Sequence, residues 1–571
     1  MYMHRREAVH KSKGCEFERS VRQMKRKLWK NLVGTGLIVS MVLPVIACGD
    51  GNAESSTASV SENGNSQETA AFSWPVQDET LSIWTLWESN YLTSMEDIPT
   101  FAVMEEETGV HLDITTVSYM EYAEKYSIML ANNDYPDIIC DGVGGTSSYP
   151  GGIEKAVQDG VYLDLTDLVD QYMPNYKKIL EDYPEIKKEV TTDDGRICAI
   201  YTIQTDNTGT PTAPPNGAGL AIRQDWLDEL NLEVPETIDD WHTVLTAFKN
   251  EKNCEAPLMI GSTGTIENGA FITAYGVAPE FYQADGTVKY GPIEDGYKDY
   301  LTTMAQWYEE GLIDPNFVAN DASSNAPFEY SASDRTGAFS TAYGFMGTAF
   351  YSDMHMVDND QYCLTAVNNP VLNSGDTPEC LTLPTISASS YAISTSCDNP
   401  ELAARWLDYQ FSQDAFMLNS FGIEGETYTV GEDGTVTLAD SVIHPEQEGI
   451  SSSDYFATLV PAYNWPGLIS METQEDFVGD ELRLEARDVW SSDGTDMVIP
   501  SRVSMTSEES SDYMAAYTSI QTYVQEMTTK FIMGTESIDD QWDNYVSTID
   551  SLGIDTCIQY QQAALDRYNE R

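Results

Sequence analysis

At 571 residues the chain is too long for one compact core, so at least two lobes are expected, each burying its own apolar interior. Acidic side chains outnumber basic ones by 92 to 30, and a net charge of -62 excludes wrapping a nucleic-acid phosphate backbone as a general activity. The imbalance is uneven: ten of the thirty Lys and Arg lie between Arg5 and Lys30, and beyond residue 47 twenty basic residues face 89 acidic ones.

The basic start leads into Asn31 to Ala47, an uncharged run of Leu, Val, Ile and Met broken by Gly34, Gly36 and Pro44. It is shorter than the ~20 apolar residues of a spanning helix and, following Lys25-Arg26-Lys27, has the form of a secretory signal. The run ends in Val45-Ile46-Ala47-Cys48, which resembles the lipobox of bacterial lipoproteins. That resemblance implies a signal peptide over 1–47, with Met1 or Met24 as its start, and Cys48 as the diacylated, palmitate-bearing first residue of the mature chain. Residues 48–78, rich in Gly, Ser, Asn, Glu and Thr, read as a flexible tether. Of the cysteines after the leader, Cys140, Cys198, Cys254, Cys363, Cys380, Cys397 and Cys557, no two have CxxC spacing. Most are expected to be buried thiols, with one bridge among Cys363, Cys380 and Cys397 left open.

Structure begins at Leu81-Ser-Ile-Trp-Thr-Leu86, whose alternation predicts a strand with Trp84 in the core and Trp87-Glu88-Ser89-Asn90-Tyr91 as its polar, aromatic exit. Pro99, Phe101, Met104 and Gly109 suit a short helix; Val110, Leu112 and Ile114 predict a second strand. Tyr122, Tyr126, Met129 and Leu130 have helical spacing that Asn132-Asn133-Asp134-Tyr135-Pro136 breaks, and Ile138-Ile139-Cys140 predicts a third strand leaving through Asp141. This βαβαβ order implies a parallel sheet with its three exits on one edge, where open α/β sheets bind ligands. Gln204 to Asn216, with its Thr, Gly and Pro, reads as a crossing between lobes. Thr237 with Asp240 forms a capping-box pattern before the stripe Trp241, Val244, Leu245 and Phe248, and Asn399-Pro400 opens another helix. Tyr513, Tyr517, Ile520, Val524, Met527 and Phe531 predict a long helix stopped by Gly534, and Trp542, Tyr545, Val546 and Ile549 a second. Three Asp-Gly pairs, at Asp194, Asp285 and Asp433, are expected at hairpin tips.

The order Trp-rich strand exit, helix, strand and Asn-Asp-Tyr-Pro-Asp-Ile-Ile resembles the N-terminal lobe of extracellular solute-binding proteins of bacterial ABC importers. The likeness continues through Leu220-Ala-Ile-Arg-Gln-Asp-Trp-Leu-Asp-Glu-Leu230, Val234-Pro-Glu-Thr-Ile-Asp-Asp240, Gly311-Leu-Ile-Asp-Pro315, Asn399-Pro-Glu-Leu-Ala-Ala-Arg-Trp-Leu-Asp-Tyr409 and Lys530-Phe-Ile-Met-Gly534. It covers residues 79 to 571 and is similar to the large-lipoprotein branch that imports oligosaccharides, including uronic-acid-containing ones. The resemblance implies a two-lobed α/β fold of the type II periplasmic-binding-protein kind with the ligand cleft between lobes. The lobes are expected over 79–205 plus about 331–400 and over 206–330 plus about 401–571. It further implies a monomer anchored by its N-terminal lipid to the outer face of the cytoplasmic membrane, with a carbohydrate ligand and membrane permease subunits as partners and the ATPase on a separate chain.

Catalytic signatures are missing where they would be visible: His111, His242, His355 and His444 form no His-Glu-x-x-His pattern, and no Gly-x-Ser-x-Gly turn or phosphate loop occurs. With so many carboxylates, a pair at glycosidase spacing carries no information. A sugar site needs aromatic faces beside acceptors and fork-shaped donors. The candidates are Trp87, Glu88, Asn90 and Tyr91, Asp141, the trio Arg223, Asp225 and Trp226, and two aromatic loops holding Tyr343 and Trp465. Arg223 stands out because an anionic sugar would need a guanidinium, and Arg335 is a second such candidate. No cofactor is expected. A structural calcium ion is the one addition the acidic composition admits, but Asp493-Gly494-Thr495-Asp496 is only a fragment of a calcium loop and no metal ligands are assigned. The rival readings are an extracellular carbohydrate-active enzyme and a peptide-binding or sensor protein of the same fold.

Overall fold

The computed structural model describes residues 72–142, 147–319, 326–342, 345–346, 359, 361–382, 387–447, 450–461, 464–471, 473 and 481–571. The expected signal peptide, Cys48, most of the tether, Tyr343 and His355 lie outside them. The chain divides into two units, Met1–Trp74 and Pro75–Arg571, and every element below belongs to the second.

The alternating apolar stretches form the expected strands β1 (Glu79–Leu86), β2 (Val110–Val117) and β3 (Ile138–Gly142). Both β2 and β3 pair with β1 in parallel. Helix Pro99–Thr108 begins on Pro99 and ends at Gly109, whose φ of 70° is left-handed. A side chain at Gly109 would also meet the Val76 carbonyl oxygen at 2.0 Å, so only glycine allows the turn into β2. Helix Tyr122–Asn132 stops at Asn133, likewise left-handed with φ 51°.

Further along come β4 (Ile200–Thr205), β5 (Ala218–Arg223), β6 (Ala256–Leu258), β7 (Phe281–Ala284), β8 (Thr287–Tyr290), β9 (Thr336–Ala342), β10 (Leu364–Val367) and β11 (Ser387–Ile393). The last strands are β12 (Tyr428–Val430), β13 (Val436–Leu438) and β14 (Leu468–Ser470). They build a six-stranded sheet of order β14-β4-β11-β3-β1-β2 and a four-stranded sheet of order β10-β5-β9-β6. The hairpins β7–β8 and β12–β13 turn at Asp285-Gly286 and Asp433-Gly434, as expected. Asp194-Gly195 does not: it closes a tight turn between Thr192 and Arg196 that leads from helix Pro184–Val190 into β4, with no partner strand before it.

The sheets also divide the chain differently from the expected lobe boundaries. β9 and β10 flank β5 on either side, so Thr336–Ala342 and Leu364–Val367 belong to the second lobe. Helices Pro400–Tyr409 and Gln413–Ser420 pack on the first sheet together with β14. There the Asp408 carboxylate accepts hydrogen bonds from the Asn175 and Tyr176 backbone, each at 2.9 Å.

The core of the second lobe lies between its sheet and helices Ile238–Glu251, Asp295–Glu309, Ser507–Ile532 and Ile538–Ser551. The predicted capping box is present, with the Thr237 side chain accepting from the Asp240 N–H. In the first lobe Trp84 packs on Tyr122 and Tyr126, at ring separations of 5.1 and 5.9 Å. Cys380 and Cys397 are free buried thiols, so neither bridges Cys363. Among the described residues no helix is long and apolar enough to cross a membrane.

Candidate ligand cleft at the facing sheet edges

Because β11 runs antiparallel to both β3 and β4, the strands β1, β2, β3, β4 and β14 all point the same way. Their exits and the start of β11 therefore share one edge of the first sheet. In the second sheet Ala218 pairs with Ala342 and Leu220 with Val367, which puts the start of β5 and the ends of β6, β9 and β10 on one edge. The chain passes from one lobe to the other three times, after β4, before β11 and after β14, each time at this edge of the first sheet. The expected crossing at Gln204 to Asn216 is the first of the three.

At the first edge, the Trp87 N–H donates to the Val117 carbonyl at 2.9 Å, which extends the β1–β2 ladder by one residue and holds the indole half-buried. The Ser89 hydroxyl accepts from the N–H groups of Tyr91 and Leu92, both at 3.1 Å, and this turn lifts Tyr91 until its side chain is 40% exposed. Glu88 and Asn90 are exposed beside it.

The neighbouring exit, after β2, carries Tyr119 at 49% and Met120 at 93% exposure. Sequence reasoning passed over both, although an aromatic and an apolar residue directly after a strand repeat the signal read at Trp87 to Tyr91. The Tyr119 hydroxyl accepts from Asn464 Nδ2 at 3.2 Å. Asn464 is buried and fixed from below, its Oδ1 accepting from the Ser389 hydroxyl at 3.1 Å and its carbonyl from the Tyr391 hydroxyl at 2.7 Å. The edge thus presents aromatic faces over a pinned amide, which suits a ligand with C–H faces and hydroxyls.

Asp141 ends β3 beneath this edge and is wholly buried. Its Oδ1 accepts from the Tyr126 and Tyr162 hydroxyls at 2.6 and 2.8 Å. Loss of solvation pushes the carboxyl up to about 6, against the lowering effect of Ser147 and the two phenols. It supports the β3 exit from below and does not open onto the edge.

The trio Arg223, Asp225 and Trp226 sits at the other end of β5, across the second lobe from the crossings. Arg223 is fully buried and donates to both Asp225 oxygens at 2.8 and 2.7 Å, to Asp334 at 2.7 Å and to the Ser331 carbonyl at 3.2 Å. Its guanidinium lies between the Trp226 and Tyr362 rings, 4.3 and 4.5 Å from their centroids. A cavity of about 290 Å³ adjoins this cluster, lined by Glu229, Lys252 and Gln361 among others. Arg335 pairs with Glu255 at 2.8 Å and covers the Tyr330 ring. Trp465 is core, 1% exposed, edge-on to Phe101 and Trp406, with its indole N–H on Gln410 at 3.2 Å.

At the second edge a polar knot ties the crossings together. Asn368 Nδ2 and the Asn369 N–H donate to Asp493 at 2.7 and 3.1 Å, and Asn369 Nδ2 donates to the carbonyls of Asn268 and Glu379 at 3.1 and 2.8 Å. Asn268, held at φ 62°, donates in turn to the Ala218 carbonyl at 2.6 Å. Burial pushes the Asp493 carboxyl up to about 6. Among the described residues no group of three or more His, Cys, Asp and Glu is placed to hold a metal ion.

Two lobes, three crossings and a polar and aromatic edge where they meet are the marks of a solute-binding protein. Residues 88–415 match the family of bacterial extracellular solute-binding proteins, and the chain belongs to that family. It is 26% identical over 489 residues to the fructooligosaccharide ABC transporter substrate-binding protein FusA of Streptococcus pneumoniae serotype 4, covering 81% of this chain and 86% of that one. It is 24% identical over 375 residues to the polygalacturonan/rhamnogalacturonan-binding protein YtcQ of Bacillus subtilis strain 168, covering 63% and 69%. The crystal structure of S. pneumoniae FusA in complex with kestose has the same two-lobed fold, with a TM-score of 0.63 at 23% identity over 86% of this chain and 100% of that one. These relatives are named as binding proteins, not enzymes.

Proposed function

We propose that the protein is the lipid-anchored substrate-binding component of an ABC importer, which captures an extracellular oligosaccharide between its lobes and delivers it to membrane permease subunits. The observation that carries this reading is the pair of facing edges joined by three crossings, with Trp87, Tyr91 and Tyr119 at two neighbouring strand exits. Aromatic faces there would take the C–H surfaces of a sugar while Glu88 and Asn90 serve its hydroxyls. A ligand touching both lobes binds the closed form more tightly and shifts the population toward it. The sequences of FusA and YtcQ, both named for carbohydrate ligands, support the ligand class. The Ala47-Cys48 lipobox pattern supports anchoring at the outer face of the cytoplasmic membrane.

A thermal-shift screen of the protein against neutral oligosaccharides, uronic oligosaccharides and peptides tests this. An oligosaccharide that raises the melting temperature and is recovered intact supports the reading. A shift with peptides alone overturns the ligand class, and cleavage of the sugar overturns the binding role.

A further inference from the structure

The described segments that meet at the facing edges share one property. Residues 87–94, 118–121, 206–217, 259–272, 368–382, 468–471 and 491–498 contain no Lys or Arg. They do contain Glu88, Glu121, Asp206, Glu379, Asp493 and Asp496. All twenty basic residues beyond residue 47 lie among the described residues, none of them in these segments, and several guanidiniums are tied to carboxylates elsewhere. Arg223 is closed off by Asp225 and Asp334 at the far end of β5. Arg335 is held by Glu255, and Arg567 and Arg571 share Asp193.

The backbone does not replace them. Helix Tyr122–Asn132 points its N-terminus at the β2 exit, but Glu121 occupies its N-cap position and Glu124 its first turn, so carboxylates already answer the positive end of the dipole. Lys125, exposed on the same turn, directly follows Glu124 in sequence. Inside the second edge, burial raises both Glu379 and Asp493, the response of carboxylates with no cation nearby.

From this distribution, and resting on the proposed function above, we infer that the cleft takes an uncharged oligosaccharide and rejects uronic-acid-containing ones. Desolvating a uronate carboxylate among these side chains would leave it unpaired and beside like charge, a repulsive element that selects against the anionic sugar. A neutral sugar meets no such penalty, because its hydroxyls can donate to the same acceptors that repel an anion. Glu88, exposed at the exit of β1 beside Trp87 and Tyr91, is the specificity-determining residue.

The test is calorimetric titration of the full chain in detergent with kestose, nystose, maltotriose and cellotriose against tri-galacturonate, each at low and high salt. The expected result is a neutral member whose affinity changes less than twofold with salt, and tri-galacturonate binding at least a hundredfold weaker. Tri-galacturonate binding as tight as the best neutral member, strengthening as salt is lowered, overturns the inference while leaving oligosaccharide capture intact. Binding of peptides alone overturns the proposed function itself. In Glu88→Lys, tri-galacturonate binding at low salt is expected to strengthen at least fivefold, and an unchanged affinity removes Glu88 from the specificity role.

Discussion

Arg571, the last residue of the chain, donates from its Nε to Asp193 Oδ1 at 2.8 Å and so ties the end of helix Ile554–Glu570 in the second lobe to the turn before β4 in the first. Arg567 donates to the other Asp193 oxygen at 2.9 Å while holding Glu509 at 2.7 Å. Nearby, the Arg502 guanidinium covers the Tyr201 ring at 4.4 Å. This brace lies at the start of β4, the end opposite the crossings. Asp193→Ala removes the shared acceptor, and a loss of about 1–3 kcal/mol in urea unfolding is expected. Asp193→Asn, which keeps one acceptor oxygen, should lose less.

The Arg223 cluster makes a different prediction. Arg223→Ala leaves Asp225, whose side chain is only 9% exposed, without its partner, and a destabilisation of about 3–5 kcal/mol follows. Ligand affinity of the folded fraction should be unchanged, because the cluster lies across the lobe from the cleft. A large change in dissociation constant, with stability intact, would return Arg223 to the binding site.

The two aromatic candidates should separate in the same way. Trp465→Ala empties a packed site under the first sheet and is expected to cost about 3–5 kcal/mol of stability. Tyr119→Ala removes a half-exposed ring, so unfolding should move by less than about 0.5 kcal/mol. Its effect belongs on the ligand, with affinity falling about tenfold, or ~1.4 kcal/mol.

Asp141, Asp408 and Asp493 are each pushed up to about 6 by burial. Between the ordinary carboxylate value and 6 the folded protein binds more protons at these sites than the unfolded chain does, so their contribution to stability falls as pH rises through that window. Above it the cost of burying the charged form is fully present. Asp493→Asn should flatten the pH dependence of the urea midpoint between pH 4 and 6.5, and a profile as steep as that of the unsubstituted protein would count against the assignment.

Where local pattern decides structure, the sequence was readable. The alternation in Leu81 to Leu86 and Val110 to Val117, the Thr237 and Asp240 cap, and the 3–4 spacing from Tyr513 to Phe531 each appear as read. The lobe boundaries failed because strand partners are chosen by tertiary packing: nothing local in Thr336 to Val367 says that these strands flank β5. The same applies to the site. Arg223, Asp225 and Trp226 have the composition of a sugar site, but which end of β5 faces the other lobe follows only from its pairing with β9 and β10. Tyr119 and Met120 were missed because only Ser118 and Glu121 flank them, whereas three polar residues in a row, Glu88, Ser89 and Asn90, mark Trp87 to Tyr91 as a loop.

The six-stranded sheet has one further consequence. Its third lane is filled by β11, which lies between β3 and β4 although some 180 residues follow β4 before it, and its outer lane by β14, later still. During synthesis the apolar edges of β3 and β4 must therefore wait, unpaired, while the whole second sheet is made. The first sheet cannot close before β14 is made, and the second lobe's core waits longer still, for helices Ser507–Ile532 and Ile538–Ser551, so neither lobe is a contiguous piece that truncation could isolate.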